Sequence, residues 1–325
     1  MKALVYDGVE TLGYRDVADP VPATGEHLIK VEAVGICGSD MHAYLGHDAR
    51  RPAPLILGHE AAGVVTGGPK DGMRVTVNPL VNCGTCPACL SGRENLCPKR
   101  QIISMQPREG AFAQYISMPM QNLVEVPQDV SLTKASLAEP LAVSWHAVRL
   151  ATDTLHPAAE RRALVIGGGA IGLAAALALR AMAVADVTIV EPNDTRRAFL
   201  QDIGETAIAE ATGLSPIVID AVGYSATRAT ASALAQPGGV IAHVGLGEDS
   251  GGLDIRRMTL QEITFIGTYT YTAQDFRDTA QAIFDSRLGP LDWFENRDLS
   301  EGAQAFADLR AGAVAAPKIV LNPWL

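Results

Sequence analysis

The pattern of hydrophobic and polar positions divides the chain near residue 140. Before that point, short apolar segments such as residues 27–34 (HLIKVEAV) and 73–77 (MRVTV) lie between frequent prolines and glycines. Short strands between such breakers are typical of all-β units. The first part of the chain is therefore predicted to form a partly open β-barrel.

After residue 140, helical and strand-like segments alternate. Residues 141–152 have a helical pattern, and residues 163–166 form a continuous apolar strand that leads through a glycine-rich turn into an Ala/Leu-rich helix ending near Ala183. The further buried strands predicted from apolar runs are 186–190, 217–222, 240–244 and 263–266. Strands that alternate with helices predict a parallel, doubly wound sheet, so the fold class is α/β.

The pattern changes a third time near residue 290, where a predicted helix (300–310) and a final strand (318–321) follow. We expect this tail to return to the first domain. The predicted domains are residues 1–145 completed by 289–325, and residues 146–288.

Composition and charge restrict the possible partners. The 325 residues suffice for two cores, and 36 acidic against 26 basic side chains leave a formal charge of −10. Such a balance argues against nucleic acid and against anionic membrane surfaces as partners. The N-terminus has no apolar stretch of the signal-peptide kind, so a cytoplasmic location is the expectation.

The glycine-rich turn is a candidate dinucleotide site, because residues 167–172 (GGGAIG) fit G-x-G-x-x-G between a strand and a helix. The loop residues expected at the pyrophosphate are Gly167, Gly169, Ala170, Ile171 and Gly172. Glu191 ends the next strand, where its carboxylate can bind the adenosine ribose and would repel a 2′-phosphate. NAD is therefore favoured over NADP, although Arg196 and Arg197 weaken this preference; Arg196 is a further cofactor-binding candidate.

The five cysteines all lie in the first third of the chain, and four of them follow the spacing C-x2-C-x2-C-x7-C. These four are Cys83, Cys86, Cys89 and Cys97. Four thiolates on one ion leave no position for water or substrate, so a structural zinc ion that stabilises the 83–97 lobe is predicted. The alternatives are a disulfide or a chance grouping, and the missing export signal disfavours a disulfide.

The fifth cysteine, Cys37, and the pair His59-Glu60 offer sulfur, nitrogen and oxygen ligands. A single cysteine is more often a small core residue, and a single histidine is more often no ligand. The same chain also has the four-cysteine site, called the cage below, and a dinucleotide loop. Their presence favours a second, open zinc site at Cys37, His59 and Glu60. A Lewis-acid metal with an open position can activate an alcohol for hydride transfer to a nicotinamide.

Several motifs in this order resemble those of the zinc-dependent medium-chain alcohol dehydrogenases, and within them the sorbitol (polyol) and threonine dehydrogenase branch. They are residues 37–42 (CGSDMH), 58–63 (GHEAAG), the four-cysteine lobe, 138–141 (AEPL) and the glycine-rich loop. The resemblance covers essentially the whole chain. It implies a GroES-like catalytic domain, a Rossmann domain and a homodimer or homotetramer, with residues 269–271 near the dimer edge.

The resemblance also assigns roles at the open site. Cys37 and His59 match the ligands of the catalytic zinc ion, and Glu60 matches the carboxylate ligand of the polyol branch. Glu139 lies where simple alcohol dehydrogenases have a second cysteine, and it resembles a carboxylate that ligates zinc or holds its water. Both acids are thus candidates for ligation and catalysis, with exchange between them during turnover; which one ligates at rest stays open.

Two further residues match the proton path of the family. Ser39 matches the hydroxyl that takes the alcohol proton, and His42 matches the group that relays it, a task for which imidazole side chains are well suited near neutral pH. The structural alternatives are that Ser39 caps a helix and that His42 is a plain surface residue. Candidates with a weaker claim to the substrate are Tyr44, His47 and Arg108.

The chain departs from the family at two places. Only residues 64–71 precede the Gly-Met-Arg-Val segment, and only 28 residues separate Glu191 from Asp220. In the segment between Glu191 and Asp220 we expect a short strand within residues 206–211 and no helix after it.

The sequence therefore predicts a zinc-dependent dehydrogenase with two zinc ions per chain that oxidises a secondary alcohol, most simply a polyol, sugar alcohol or sugar acid, to a ketone with NAD. One alternative is a threonine-type or simple secondary-alcohol dehydrogenase. Another is a zinc-stabilised binding or assembly protein of the same fold without catalysis. The expected partner is a small-molecule alcohol.

Overall fold

The computed structural model describes residues 1–324, which form two compact units. Unit 1 comprises Met1–Glu139, Thr272–Ser286 and the chain from Leu291 onwards. Unit 2 comprises Pro140–Tyr271 and Arg287–Pro290.

The strands alternate with Pro- and Gly-containing turns in unit 1 and with helices in unit 2. In chain order they are β1 (Lys2–Gly8), β2 (Thr11–Asp16), β3 (Glu26–Gly35), β4 (Leu55–Ile56), β5 (Glu60–Thr66), β6 (Arg74–Val77), β7 (Leu80–Val81), β8 (Gln101–Ile102), β9 (Tyr115–Pro119), β10 (Leu123–Glu125), β11 (Arg162–Ile166), β12 (Asp186–Val190), β13 (Ala207–Ile208), β14 (Ser215–Asp220), β15 (Ala235–His243), β16 (Thr264–Gly267), β17 (Phe294–Asp298) and β18 (Lys318–Asn322).

The α-helices are short in unit 1 and longer in unit 2. In chain order they are α1 (Gly38–Tyr44), α2 (Pro87–Leu90), α3 (Leu132–Ser136), α4 (Ala138–Thr154), α5 (Ala170–Ala181), α6 (Asp194–Asp202), α7 (Ser225–Leu234), α8 (Ile255–Leu260), α9 (Ala273–Phe284) and α10 (Gly302–Arg310). Within the described residues, no helix is both long and apolar enough to cross a membrane.

Unit 1 is built around a seven-stranded sheet in the order β10-β6-β5-β3-β18-β17, with β9 also paired to β3. Its strands are antiparallel except for the β17–β18 pair. A large apolar core with Leu4, Phe112, Met118 and Phe306 packs against these strands. The C-terminal strand β18 thus lies directly beside β3 in the first unit.

Unit 2 contains a six-stranded parallel sheet in the order β13-β12-β11-β14-β15-β16. The chain proceeds outward from β11 in one direction and then, starting with β14, in the other. The position between β11 and β14 is therefore the topological switch point, where open α/β sheets bind ligands. The predicted α/β class, with a β-rich first domain and a doubly wound sheet, is confirmed.

The shortened segment of unit 2 also has the predicted form. The strand β13 is retained, and residues 209–214 lead directly into β14 without a helix.

Candidate metal centre and cofactor site

Two adjacent strands of unit 1 carry the donor atoms of the open site. Cys37 follows the end of β3. Glu60 is the first residue of β5, His59 directly precedes it, and β5 pairs with β3 so that Gly35 faces Glu60. One donor atom from each of Cys37, His59 and Glu60 lies within 4.8 Å of the others. His59 and Glu60 are buried, and Cys37 is partly buried.

The start of helix α1 orients Cys37. Its sulfur accepts the amide hydrogen of Ser39 at 3.5 Å, and the Asp40 carboxylate accepts the amide hydrogen of Cys37 at 3.1 Å. Cys37 is therefore the N-cap residue of α1, in a capping box with Asp40. The alternative that Ser39 caps this helix is wrong, because Ser39 is already inside it.

A buried carboxylate orients His59. Oδ1 of Asp40 lies 3.3 Å from Nδ1 of His59 and accepts the amide hydrogen of Gly58 at 3.2 Å, while Oγ of Ser104 lies 3.4 Å from the same Nδ1. This contact to Nδ1 leaves Nε2 as the nitrogen for a metal, the usual arrangement of histidine ligands.

The charges around His59 stabilise one another. Burial raises the pKa of Asp40, but His59 and Arg51 lower it by more, to about 2. Burial lowers the pKa of His59, but the charges of Asp40 and Cys37 outweigh this and raise it well above its usual value. The guanidinium of Arg51 is itself buried and donates to the carbonyl oxygens of Ser39 and Ser104.

Glu60 is completely buried, as is Asp40. Its Oε1 accepts a hydrogen bond from Nζ of Lys318 at 2.7 Å, whereas its buried Oε2 has no hydrogen-bond partner within residues 1–324. A Cβ atom on Gly35 would lie 2.0 Å from Oε2, so only glycine leaves room for this carboxylate. An unpaired buried oxygen beside a thiol and an imidazole fits a zinc ion, which takes S, N and O ligands.

Glu139 lies near this group without joining it. It is 6% exposed, at the start of α4, and its charge contributes to the raised pKa of Lys318. Among the described residues, the convergent donor set contains Glu60 and not Glu139.

The two residues of the predicted proton path lie on α1. Ser39 is partly buried and His42 is exposed, three positions further along the helix. Residues at this spacing lie on the same helical face. The ring of His42 is 6.3 Å from that of His47, which is also exposed.

Two of the residues considered for contact with the substrate, Tyr44 and Arg108, make contacts within the fold instead. Tyr44 is 8% exposed and packs on Phe306, with ring centroids 5.2 Å apart. Arg108 pairs with Glu26 at 2.7 Å and also donates to Gln101. These contacts agree with structural roles for both residues.

The four remaining cysteines converge as the spacing predicted. The Sγ atoms of Cys83 and Cys97 are 3.5 Å apart, those of Cys86 and Cys89 are 3.5 Å apart, and those of Cys83 and Cys89 are 4.0 Å apart. All four sulfurs lie within 4.8 Å of one another. Four convergent thiol groups fit a closed tetrahedral zinc site.

In unit 2, the glycine-rich loop lies at the switch point of the sheet. It connects β11 to α5, which starts at Ala170 with Gly169 as its N-cap. A Cβ atom on Gly172 would lie 1.8 Å from the carbonyl oxygen of Gly167, so this close turn requires glycine. The amide groups at the N-terminus of α5 fit a pyrophosphate.

Glu191 lies beside this loop at the end of β12. Its Oε2 accepts the amide hydrogen of Gly168 at 2.9 Å, and Nη1 of Arg196 lies 3.4 Å from the same oxygen. Arg197 donates to the carbonyl oxygen of Glu191 at 3.0 Å. The structure thus brings together the loop, the acid and both arginines that the sequence had connected.

Four buried residues around the metal centre were not singled out from the sequence: Asp40, Arg51, Ser104 and Lys318. Asp40 had a local signal, since an acid three positions after a helix N-cap is a capping-box residue. Lys318 had none, because it lies 258 positions from Glu60 in the sequence.

Comparisons with known proteins agree with this arrangement. Residues 23–128 match the alcohol dehydrogenase GroES-like domain, and residues 170–285 match the zinc-binding dehydrogenase family. The chain is 32% identical over 309 residues to L-galactonate-5-dehydrogenase of Escherichia coli K12, covering 89% of this chain and 88% of that protein. It is 30% identical over 281 residues to a sorbitol dehydrogenase of Arabidopsis thaliana, covering 77% and 76%.

Solved structures show the same fold. An alcohol dehydrogenase of Escherichia coli CFT073 in complex with NADH superposes with a TM-score of 0.89 at 25% identity, over 99% of both chains. A zinc-binding dehydrogenase of Sinorhizobium meliloti 1021 bound to NADP has a TM-score of 0.88 at 26% identity, again over 99% of both chains.

The chain therefore belongs to the zinc-dependent medium-chain alcohol dehydrogenase family, as the sequence motifs indicated. It is an oxidoreductase, and its relatives are dehydrogenases of polyols and sugar acids.

Proposed function

We propose that this protein oxidises a secondary hydroxyl group of a polyol or sugar acid to a ketone, with NAD as the hydride acceptor. The observation that carries the proposal is the convergence of Cys37, His59 and Glu60, with one buried oxygen of Glu60 left unpaired. The activities of the relatives on L-galactonate and sorbitol support the substrate class.

Each part of the chain has a role in this reaction. Cys37, His59 and Glu60 would hold the catalytic zinc ion, with Glu139 as the nearby second carboxylate. When bound, the zinc ion lowers the pKa of an alcohol and the dinucleotide accepts the hydride. The hydroxyl of Ser39 would accept the alcohol proton as it gives up its own hydroxyl proton, and the exposed imidazole of His42, on the same face of α1, would pass a proton to solvent. The overall reaction releases a ketone, NADH and one proton.

The cysteine cage would hold a second zinc ion that stabilises the fold. Because its four thiolates fill a tetrahedral site, we assign it no catalytic step.

NAD is preferred over NADP in this proposal. The carboxylate of Glu191 is 3% exposed and tied to the loop by Gly168, so a 2′-phosphate there would meet a fixed negative charge. Because related structures hold NADH in one case and NADP in another, the preference depends on Glu191 in this chain. A cytoplasmic location and a homodimer or homotetramer stay predictions.

The test combines metal analysis with a substrate panel. We expect about two zinc ions per chain, and NADH formation, followed by its absorbance, with at least one substrate from a panel of L-galactonate, sorbitol, other polyols, threonine and 2-butanol. Cys37→Ser should abolish activity and remove one ion, while the cage ion remains. Simultaneous loss of both ions would contradict two separate sites. A fully metallated protein that reduced neither NAD nor NADP with any substrate would refute the proposed activity and favour a non-catalytic role.

A further inference from the structure

A buried lysine from the C-terminal strand contacts the open metal site. Lys318, the first residue of β18, is 3% exposed. Its ammonium group donates to Oε1 of Glu60 at 2.7 Å and to the carbonyl oxygen of Ile36 at 3.0 Å. The strand order β5-β3-β18 explains this contact, because it places the ends of three chain segments side by side.

These contacts make the two oxygens of Glu60 unequal. Oε1 is engaged by Lys318, whereas Oε2 is buried against Gly35 and has no hydrogen-bond partner in the described chain. An unsatisfied buried acceptor costs about 1–3 kcal/mol. Oε2 is thus the oxygen of Glu60 that lacks a partner and can take a metal as its ligand.

The charge of Lys318 agrees with the unequal roles of the two Glu60 oxygens. Nζ of Lys318 lies 2.7 Å from Oε1 of Glu60, and both side chains are almost completely buried, so the two form a buried ion pair. A buried carboxylate is costly without a partner, and the ammonium group of Lys318 supplies one for Oε1 only.

We propose that Lys318 is a positioning residue of the metal centre: it holds Oε1 of Glu60, so that Glu60 offers one oxygen to the metal and a coordination position remains for substrate. This inference rests on the proposed function. It assigns no proton transfer to Lys318 and no contact with the substrate. Without Lys318, both oxygens of Glu60 would be free to bind the same ion.

The experiment uses Co²⁺ placed in the open site of the full-length protein, with zinc retained in the cage. We expect wild-type protein to show the strong visible absorption of four-coordinate Co²⁺. In Lys318→Met the absorption should weaken to that of a five-coordinate ion, and kcat should fall about 10- to 100-fold, the usual effect of losing an outer-shell partner. The matched control is Lys134→Met, which removes a surface lysine that also contacts a carboxylate, that of Asp292, at 2.7 Å. It should leave the spectrum and kcat unchanged.

A double-mutant cycle separates positioning from a general structural role. In a Glu60→Gln background, Lys318→Met should no longer alter the Co²⁺ spectrum, since Lys318 acts through Glu60. A wild-type spectrum in Lys318→Met, or an equal spectral change in both backgrounds, would overturn the proposal.

The cycle also covers a variant that does not fold. Lys318→Met alone leaves the buried charge of Glu60 unpaired, which is costly, whereas removal of both charges is far better tolerated. If the single variant fails to fold, Glu60→Gln and the double variant are compared with each other; they should have the same spectrum, and a difference would overturn the proposal. If wild-type protein binds Co²⁺ but reduces no dinucleotide, the proposed function fails, and the spectra still decide the role of Lys318.

Discussion

The substitution Gly35→Ala tests the geometry of the open site with a single methyl group. Gly35 is the last residue of β3 and faces Glu60 across the β3–β5 pair. A Cβ atom at this position would lie 2.0 Å from Oε2 of Glu60 and 3.1 Å from its carboxyl carbon, whereas ordinary contacts begin at 3.4 Å. The neighbouring backbone is held in a paired strand, so the carboxylate must move away.

The size of this movement sets the expected effect. Restoring an ordinary contact shifts Oε2 by more than about 1 Å, and a displacement of this size in a catalytic group can reduce activity about 100-fold. Overpacking of a core site also costs about 1–3 kcal/mol of folding free energy. We therefore expect Gly35→Ala to lose the open-site zinc ion and at least about 100-fold in kcat/KM, while it keeps the cage ion.

The assay is metal content per chain by mass spectrometry, together with thermal unfolding and steady-state kinetics. Gly267→Ala is the matched control for folding and metal content, because Gly267 also ends a strand but a Cβ atom added there would meet no other atom within 4 Å. This control should retain both ions. If Gly35→Ala kept two zinc ions and full activity, the inferred packing of Glu60 over Gly35 would be wrong.

Two further predictions concern unit 2. Glu191→Ala should lower the ratio of kcat/KM with NAD to kcat/KM with NADP at least about tenfold. The substitution removes the carboxylate that disfavours a 2′-phosphate and leaves Arg196 in place. An unchanged ratio in steady-state assays would contradict this prediction. Asp220→Asn should lower the free energy of unfolding at pH 7 by about 1–3 kcal/mol, because the buried carboxylate lies 3.1 Å from Nδ1 of His243 and accepts the amide hydrogens of Val222 and Gly223. Burial raises the pKa of Asp220, but these partners outweigh burial and lower the pKa below 3.8. The ionised carboxylate therefore contributes fully to the stability of the fold at pH values well above 3.8, and this contribution declines as the pH falls through the lowered pKa. Urea unfolding of both proteins should therefore show a difference that shrinks below pH 3.8, and a difference that grew with acid would refute the assignment.

Local sequence was sufficient for the features formed within a short stretch of chain. The cysteine cage depends on four residues within 15 positions, and the dinucleotide loop on one strand, one turn and the next helix. In both, the spacing of residue types already limits where the side chains and amide groups can lie. The resemblance of the flanking motifs then identified the family and the open-site candidates, whose catalytic roles stay predictions.

The tertiary structure decided what depends on strand order and register. It placed Lys318 against Glu60, selected Glu60 rather than Glu139 for the convergent donor set, and made Cys37 rather than Ser39 the cap of α1. Helix α9 packs in unit 1 although it follows the strands of unit 2 in sequence.

Hydrophobic periodicity specifies that a segment is a strand and which residues are buried, but it does not specify the neighbouring strand. The contact between β18 and β3 joins segments almost 300 positions apart, and only the folded sheet defines it. The sequence alone thus determined the class of protein and its metal and cofactor motifs. The charge balance and the free oxygen of the metal centre were decided by long-range packing, which brings a distant lysine to a buried carboxylate.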